Sequence, residues 1–325
     1  ILKKEIKMEL QTVGEPWMLG VFFVIVIIMI CVDMFMLGRK GDSKVSTKEA
    51  LVWSVIWISI AMLFNLWLYF YLSDKYDENI ATQKSLEFLT GYILEKSLAV
   101  DNLFVFVMLF AYFKVPEIYQ KRVLVYGIFG ALILRSIMIV VGATLVSQFH
   151  WILYIFGAFL LFSGIKMFKS SEDSGDIENN FIIKFLKRNF KITNNYHGEK
   201  FFVKIDGKTW ITPLFVVLIF IEFTDLIFAV DSIPAIFAVT TDPFIVYTSN
   251  IFAILGLRAL YFILVDMADR FELLKYGLAI ILMFIGVKLL IMEFFKIPIL
   301  LSLGFVIGVL AISIIASIKK TSKKV

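Results

Sequence analysis

Two short stretches of the sequence place pairs of carboxylates in otherwise apolar surroundings. The first reads EKSLAVDN at 95–102, and the second reads DLIFAVDS at 225–232. In both stretches an acidic residue lies four positions before the alanine of a shared Ala-Val-Asp, and a small polar residue follows the aspartate. Carboxylate, amide and hydroxyl oxygens are the ligands that hard or borderline divalent cations such as Mn²⁺, Mg²⁺ and Ca²⁺ prefer. The two stretches therefore indicate a site for a divalent cation.

Helical spacing brings several of these side chains onto common faces. Glu95 and Asn102 are seven residues apart, as are Asp225 and Ser232, so each pair shares one face of a helix. Glu222, three residues before the second stretch, adds a third carboxylate to the second group. The predicted metal ligands are Glu95, Asp101, Asn102, Glu222, Asp225, Asp231 and Ser232.

Structural ion pairs are the alternative explanation for the same carboxylates. An ionisable residue near the centre of a membrane span costs roughly 2.5–3.5 kcal/mol on an insertion scale, so packing alone does not account for these acids. Arg135 and Arg258 are candidate partners for Asp101 and Asp231, whereas Glu95 is expected to be half solvated. The predicted counter-ions and supporting polar contacts are Lys96, Arg135, Arg258, Asp33, Asn65 and Asn250. For the two asparagines, hydrogen bonds between helices are favoured over ligation.

The composition indicates a membrane protein, as the argument about buried acids assumes. Residues of the AVILMFWYC set make up 60% of the chain, charged residues 18%, and the mean hydropathy is +0.88. Soluble domains run near 45–50% apolar and 25% charged. Cys31 is the only cysteine, and His150 and His197 both fall between spans, so thiolate-rich and histidine-rich metal sites are excluded and no prosthetic group is expected.

Nine apolar segments approach the length of about 20 residues that a membrane crossing needs. They predict an all-α polytopic transmembrane helical bundle. The predicted spans are 17–37, 48–72, 86–113, 118–146, 149–168, 211–239, 244–266, 273–293 and 299–317.

An internal repeat relates spans three to five to spans six to eight. The two acidic stretches match, and the spans that follow them carry Arg135 and Arg258 at similar positions. The last spans of each set end in the similar sequences FSGIK at 162–166 and FIGVK at 284–288. Because three spans is an odd number, the second copy enters the membrane from the opposite side, which predicts an inverted repeat with a substrate site near the membrane midplane.

Charge distribution predicts the orientation of the bundle. The loops on one side carry 21 Lys and Arg, and those on the other side carry six. By the positive-inside rule the N-terminus is outside and the C-terminus is cytoplasmic, which explains the net charge of +5 without a nucleic-acid partner. The predicted units are an extracytoplasmic segment 1–16, a membrane bundle 17–168 with the first repeat at 86–168, a basic cytoplasmic loop 169–209, the second repeat 210–293, and a final helix with a basic tail 294–325.

A proline is expected to interrupt the sixth span. Pro234 removes the backbone hydrogen bond to the carbonyl of Val230, which is predicted to open the helix beside Asp231 and free carbonyls for a cation. The third and sixth spans are also longer than a straight crossing requires, so both are candidates for broken or tilted helices.

The acidic stretches and their surroundings resemble the TerC family. The resemblance rests on EKSLAVDNLFVF at 95–106, EFTDLIFAVDSIPAIFAVT at 222–240 and DPFIVYTSNIFAILGLR at 242–258, and it extends over about 17–317. It implies a bacterial inner-membrane protein of the tellurium-resistance-associated and Alx type, some members of which are linked to Mn²⁺ export and others to metal loading of exported proteins or tellurite resistance. The 169–209 loop is similar to that of the longer members.

The leading functional hypothesis is export of a divalent metal cation, most of all Mn²⁺, by a secondary transporter with a midplane site. A membrane scaffold or tellurite-associated protein with structural ion pairs is the alternative, and an exporter of amino acids or other small molecules is a related one. No enzyme motif is found in the sequence. The expected partners are a divalent cation, membrane lipid and a protein docking on the 169–209 loop.

Overall fold

Ten α-helices and one β-hairpin are found in the part of the chain that the computed structural model describes, residues 12–38, 46–149, 151–169, 188, 190–267, 273–295 and 297–322. Within the helices, the side chains at 35–38, 101, 104, 108, 231, 266–267 and 321–322 are outside the description. The helices are α1 (Pro16–Gly38), α2 (Thr47–Lys75), α3 (Glu78–Tyr112), α4 (Glu117–Gln148), α5 (Ile152–Lys169), α6 (Pro213–Phe237), α7 (Pro243–Ile254), α8 (Leu257–Met267), α9 (Leu274–Leu290) and α10 (Ile299–Ser322).

Length and apolarity qualify six of these helices as membrane spans, namely α1, α2, α4, α5, α6 and α10. Helices α7 and α8 together make a seventh, bent by 42° at their junction. The all-α polytopic membrane fold is therefore confirmed. The predicted number of nine spans is not reached by this measure, since α3 carries several charges and α9 has only 17 residues, and the inverted repeat stays a prediction.

Local chemistry accounts for several helix boundaries. Helix α3 begins eight residues earlier than the predicted span, because the side chain of Asp77 accepts a hydrogen bond from the amide of Ile80 at 2.8 Å. Asp242 caps α7 in the same way by accepting from the amide of Phe244 at 3.0 Å. The two halves of the seventh span are separated at Gly256, whose φ of +84° is a conformation that other residues rarely adopt.

The interruption predicted at Pro234 is not found. Helix α6 continues through Pro234 to Phe237, and α3 is likewise continuous for 35 residues. A proline near the end of a helix interferes only with the preceding turn, so three further residues stay helical. The broken span lies instead at the junction of α7 and α8.

A β-hairpin forms the end of the predicted 169–209 linker. Strand β1 (Phe202–Ile205) pairs antiparallel with β2 (Lys208–Ile211). Asp206 and Gly207 connect them with φ values of +50° and +71°, as in the two-residue turns that suit hairpins. This part of the linker is therefore an ordered structure of its own.

The hairpin and its flanking residues lie against the ends of the helices. The Tyr196 hydroxyl donates to the carbonyl of Phe113 at the end of α3 over 2.7 Å, and burial raises the pKa of this phenol to about 12. Arg122, near the start of α4, approaches Glu199 at 3.5 Å and stacks over the ring of Phe201. We call this the hairpin end of the bundle.

The opposite end is held by the segment that precedes α1. Thr12 donates to the Asp242 carboxylate at the start of α7 over 2.7 Å, and Glu15 pairs with Lys75 at the end of α2. We call this the N-terminal end. Between the two ends, the outer surface of the bundle exposes large apolar side chains, among them Leu63, Phe162 and Ile312, as expected for a surface that faces lipid.

Candidate functional site

One arginine lies at the centre of the candidate site. Arg135 of α4 is fully buried, and its Nε and Nη2 donate to the two carboxylate oxygens of Asp225 on α6 at 3.1 and 2.8 Å. Its Nη1 contacts the Glu95 carboxylate on α3, which is also fully buried. Glu95 and Asp225 are the matching acids of the two sequence stretches. The fold therefore brings the repeated carboxylates together on one guanidinium, which we call the central cluster.

The planar fork of the arginine explains this arrangement. A guanidinium can form two parallel hydrogen bonds to one carboxylate and still offer an N–H group to another. Breaking a buried ion pair by removing one partner costs about 3–5 kcal/mol, because the remaining charge has no solvent. The expectation that Glu95 is half solvated is wrong, since no part of its side chain is exposed. The described carboxylate partners of Arg135 are Glu95 and Asp225.

Glu222 joins the cluster from the preceding turn of α6. Its position three residues before Asp225 places both carboxylates on one face of the helix. The carboxyl group packs directly over Gly130 of α4, where an added Cβ would come within 2.0–2.2 Å of its atoms. Its Oε2 is buried without a hydrogen-bond partner among the described residues. Only glycine at position 130 leaves room for this carboxylate.

One predicted ligand, Ser232, and one predicted supporting residue, Asn250, are buried polar groups without partners in the described structure. Ser232 is 2% exposed and its hydroxyl makes no hydrogen bond, and Asn250 is fully buried with neither amide atom bonded. A buried polar group left unsatisfied costs about 1–3 kcal/mol. Among the described residues, Asn250 has no partner for the hydrogen bond between helices that was favoured for it. Asn102 is also buried, at 5% exposure.

The neighbours of Asn250 place it close to the layer of the central cluster. Tyr247, one turn earlier on α7, has its hydroxyl 3.0 Å from that of Ser136, which follows Arg135. Ser249 lies against Gly91 of α3, one turn before Glu95. The amide of Asn250 thus belongs to a helix that contacts both α3 and α4 at this depth.

Lys96 contacts the break in the seventh span. Its ammonium donates to the carbonyls of Ala253 and Leu255 at 3.1 and 3.2 Å. Carbonyls at a helix C-terminus carry partial negative charge, so the ammonium stabilises the end of α7 just before Gly256. Lys96 was predicted as a counter-ion of the site, but its described partners are carbonyls and not carboxylates.

The remaining predicted residues form pairs away from the central cluster. Arg258 of α8 donates from Nη2 to Asp33 of α1 at 3.0 Å, and it also contacts the backbone carbonyl of Asp33. Ser85 donates to Asn65 over 3.1 Å, which confirms a hydrogen bond between helices at that asparagine. Asp33 therefore has a buried partner in Arg258.

Asp101 and Asp231 lie on α3 and α6, one or two turns beyond Glu95 and Asp225 along each helix. Their side chains are outside the described residues, so their predicted pairing and ligation are not tested. Among the described side chains, no group of three or more His, Cys, Asp or Glu is arranged to hold a metal ion. The predicted metal site stays a prediction.

A second cluster of charges was missed in the sequence. At the N-terminal end, Lys84 of α3 lies 2.9 Å from Glu87 and 3.5 Å from Asp242, both of which are nearly buried. One signal was available, because Glu87 lies eight residues before Glu95 and so shares its helix face. Lys84 was counted only as a loop charge, and Asp242 only as part of the family stretch.

Fold and buried charge pairs together define a polytopic helical membrane protein with ionisable groups in its interior. The model of the integral membrane protein TerC family matches residues 80–325. The chain belongs to the TerC family.

Close relatives cover almost the full chain. A protein named as a proposed membrane-bound redox modulator, Alx, from Salmonella typhi is 53% identical over 94% of this chain and 95% of its own length. The protein of the same name from Escherichia coli (strain K12) is equally similar. A membrane protein of Myxococcus xanthus, STKORF319, is 43% identical over 95% of this chain and 94% of its own. No solved structure matches the chain significantly.

Proposed function

We propose that this protein is an inner-membrane secondary transporter that exports a divalent metal cation, most of all Mn²⁺. The central cluster forms the substrate site, and the cation passes between the two three-helix repeats by alternating access. The N-terminal end faces outward and the hairpin end faces the cytoplasm, in agreement with the distribution of Lys and Arg.

The observation that carries the proposal is the convergence of Glu95 and Asp225 on Arg135. Glu222 lies three residues before Asp225 on α6 and packs over Gly130 of α4, and Lys96 is engaged with carbonyls. Asp101 and Asp231 add two more acids on the same helices. A buried region with more carboxylates than cations attracts a cationic ligand, because unpaired charge in a low-dielectric interior is costly.

The same charge balance argues against direct transport of an oxyanion such as tellurite. Anion sites use convergent arginines and lysines or helix N-termini. Here the one arginine of the central cluster is already bound by two carboxylates. Tellurite resistance and the redox effect in the name of the Alx relatives would then be indirect consequences of metal export.

Two considerations favour Mn²⁺ over Mg²⁺ and Ca²⁺ as the exported cation. Some members of the TerC family are linked to Mn²⁺ export, and the buried Asn250 and Ser232 offer neutral oxygen atoms that have no hydrogen-bond partner among the described residues. A mixed set of carboxylate, amide and hydroxyl oxygens suits Mn²⁺, while Mg²⁺ retains more of its water and Ca²⁺ takes six to eight ligands.

The decisive test is metal flux in proteoliposomes. Mn²⁺, Mg²⁺ and Ca²⁺ are offered in parallel to the wild-type protein and to Asp101→Asn and Asp231→Asn, with a lumenal dye that reports pH. We expect Mn²⁺ flux that both substitutions abolish while the variants remain folded. Asp74→Asn, which removes an exposed carboxylate near the end of α2, is the matched control. Absence of cation flux with the wild-type protein would refute the proposal.

A membrane scaffold with structural ion pairs is the second candidate. Arg135 and Arg258 favour it, because each already has a carboxylate partner within the protein. The scaffold predicts that Asp225→Asn destabilises the protein without any loss of a transport activity. The transporter hypothesis predicts that Asp225→Asn lowers cation flux by far more than the loss of folded protein explains.

A further inference from the structure

A large cavity opens at the N-terminal end of the bundle. Its volume is about 910 Å³, and we call it the vestibule. Its walls come from the start of α3, the segment 237–242 that ends α6 and leads to α7, and the end of α9, with contributions from Thr12 and Ile299. Both predicted repeats therefore line it.

The ammonium of Lys84 joins two carboxylates in the wall of the vestibule, which Lys288 and Glu293 also line. Lys84 Nζ lies 2.9 Å from Glu87 Oε2 and 3.5 Å from Asp242 Oδ2. These acids come from α3 of the first repeat and α7 of the second. Both are nearly buried, at 5% exposure each. Such a pair of carboxylates would repel strongly in this position without a cation between them.

Hydrogen bonds from uncharged donors hold both carboxylates in position. Thr240 and Gln83 donate to Glu87 at 2.6 and 2.8 Å. Asp242 accepts from the Thr12 hydroxyl at 2.7 Å and from two backbone amides at 2.9 and 3.0 Å. The acids are therefore preorganised, and Lys84 is the mobile partner, since its long side chain has four rotatable bonds.

An apolar layer separates the vestibule from the central cluster. Glu87 lies eight residues before Glu95, which is about 12 Å along α3. Between them, Gly91 packs against Ser249 and Ile236, while the ring of Phe237 packs against Gly142 of α4.

The last turn of α6 forms part of that layer. Ile236 and Phe237 both belong to this turn, and Pro234 at its start has no amide to donate to the carbonyl of Val230 in the turn before. Thr240, three residues after Phe237, donates a hydrogen bond to the Glu87 carboxylate. A shift of this turn would connect the central cluster to the vestibule directly beside Lys84.

We propose that Lys84 is a tethered cation: its ammonium occupies the site between Glu87 and Asp242 that the departing metal ion would otherwise bind at the exit of the transport path. This inference rests on the proposed export function. As the cation enters the vestibule, Glu87 and Asp242 are already paired with the ammonium, which leaves one net negative charge instead of two and weakens their hold on the cation. Lys84 is thus a positioning residue that keeps the exit weakly binding, as efficient release requires.

Cation binding to the purified protein tests this without transport. Lys84→Met keeps the length of the side chain but removes the charge, so Glu87 and Asp242 should bind Mn²⁺ about tenfold or more tightly than in the wild type. Lys84→Arg should restore weak binding, and the double variant Lys84→Met with Glu87→Gln should lose the gain. Lys75→Met is the control, since its exposed pair with Glu15 lies at the same end of the bundle outside the vestibule.

Flux measurements give the second readout. Mn²⁺ on the outward side should inhibit export by Lys84→Met at about tenfold lower concentration than export by the wild type. A merely structural role would lower the maximum rate and leave this inhibition unchanged. Equal Mn²⁺ binding by Lys84→Met and the wild type would overturn the inference even where export is established. A gain of binding in a protein that moves no cation would refute export alone and leave Lys84 as the tethered cation.

Discussion

A single methyl group at Gly130 should impair transport without harming the fold. Gly130→Ala would place a Cβ 2.0–2.2 Å from the atoms of the Glu222 carboxyl group, whereas ordinary contact requires at least 3.4 Å. The carboxyl group must therefore retreat by more than about 1 Å, at a rotamer cost of about 0.5–1.5 kcal/mol. Replacing glycine by alanine inside a helix gains about 0.8–1 kcal/mol, so the net change in stability is small.

The expected effect on function is much larger. A displacement of about 1 Å in a preorganised site can lower its activity by about 100-fold. We expect Mn²⁺ flux in proteoliposomes to fall by about 10- to 100-fold, with a denaturation midpoint in detergent close to that of the wild type. No charge is changed, so a loss of flux reports the position of the Glu222 carboxyl group and not the presence of an acid.

Gly127→Ala is the matched control. It lies one turn earlier on the same helix and faces α6 as well, but its added Cβ would meet only Ile221 Cγ2 at 3.3 Å. The gain in helix propensity is the same. If the two variants transport Mn²⁺ at equal rates, the placement of Glu222 over Gly130 has no role in the substrate site, and the assignment of that carboxylate is wrong.

Three further perturbations test the packing around the site. In a Cys31→Ser background, Gly91→Cys with Ser249→Cys should form a disulfide, because the two Cβ positions are 3.3 Å apart. Oxidation of this double variant should stop Mn²⁺ flux reversibly. Full flux in the cross-linked protein would exclude relative motion of α3 and α7 during transport. Gly256→Ala should lower the free energy of unfolding by about 1–3 kcal/mol, because φ is +84° and the Cβ would lie 2.6 Å from Trp57 Cδ1; Gly304→Ala, with open space around it, is the control for detergent denaturation. Tyr196→Phe should cost about 0.5–1.5 kcal/mol by removing the bond to the Phe113 carbonyl. Since burial raises the pKa of Tyr196 from 10.0 to about 12, this contribution is complete below pH 10 and is lost as the pH rises through 12, so equal midpoints for Tyr196→Phe and the wild type at pH 7 would contradict it.

The sequence predicted the helical membrane fold and placed the acids on membrane helices, because both follow from composition and from periodicity along single helices, but it did not predict the full burial of Glu95. It could not predict partners across helices. Arg135 was expected to balance Asp101 or Asp231, yet its described partners are Glu95 and Asp225. Which acid meets the guanidinium depends on the relative depth and rotation of α3, α4 and α6, and a shift of one helical turn changes the answer.

The same limit explains why the helix break was predicted in the wrong place. Pro234 is a visible signal, but it removes only the hydrogen bond to the Val230 carbonyl, and the helix continues to Phe237. Gly256 is a weaker signal in sequence, because glycine is common in membrane helices. Its positive φ is stabilised by a tertiary contact, the Lys96 ammonium on the carbonyls of Ala253 and Leu255. Breaks that depend on such contacts are readable only once the helices are assembled.

Protein cations placed between or beside carboxylates recur at three depths of the bundle. Lys84 joins Glu87 and Asp242 at the N-terminal end, Arg135 joins Glu95 and Asp225 at the centre, and Arg258 pairs with Asp33 nearer the other end. For a cation exporter, each such group would compete with the substrate for the same oxygen atoms. The affinity for the exported cation at each depth would then depend on how far the lysine or arginine side chain can move away from the carboxylates. Arg135, held by two carboxylates in a fully buried position, should withdraw least, so movement of α4 and α6 relative to α3 is the step that we expect to control access to the central cluster.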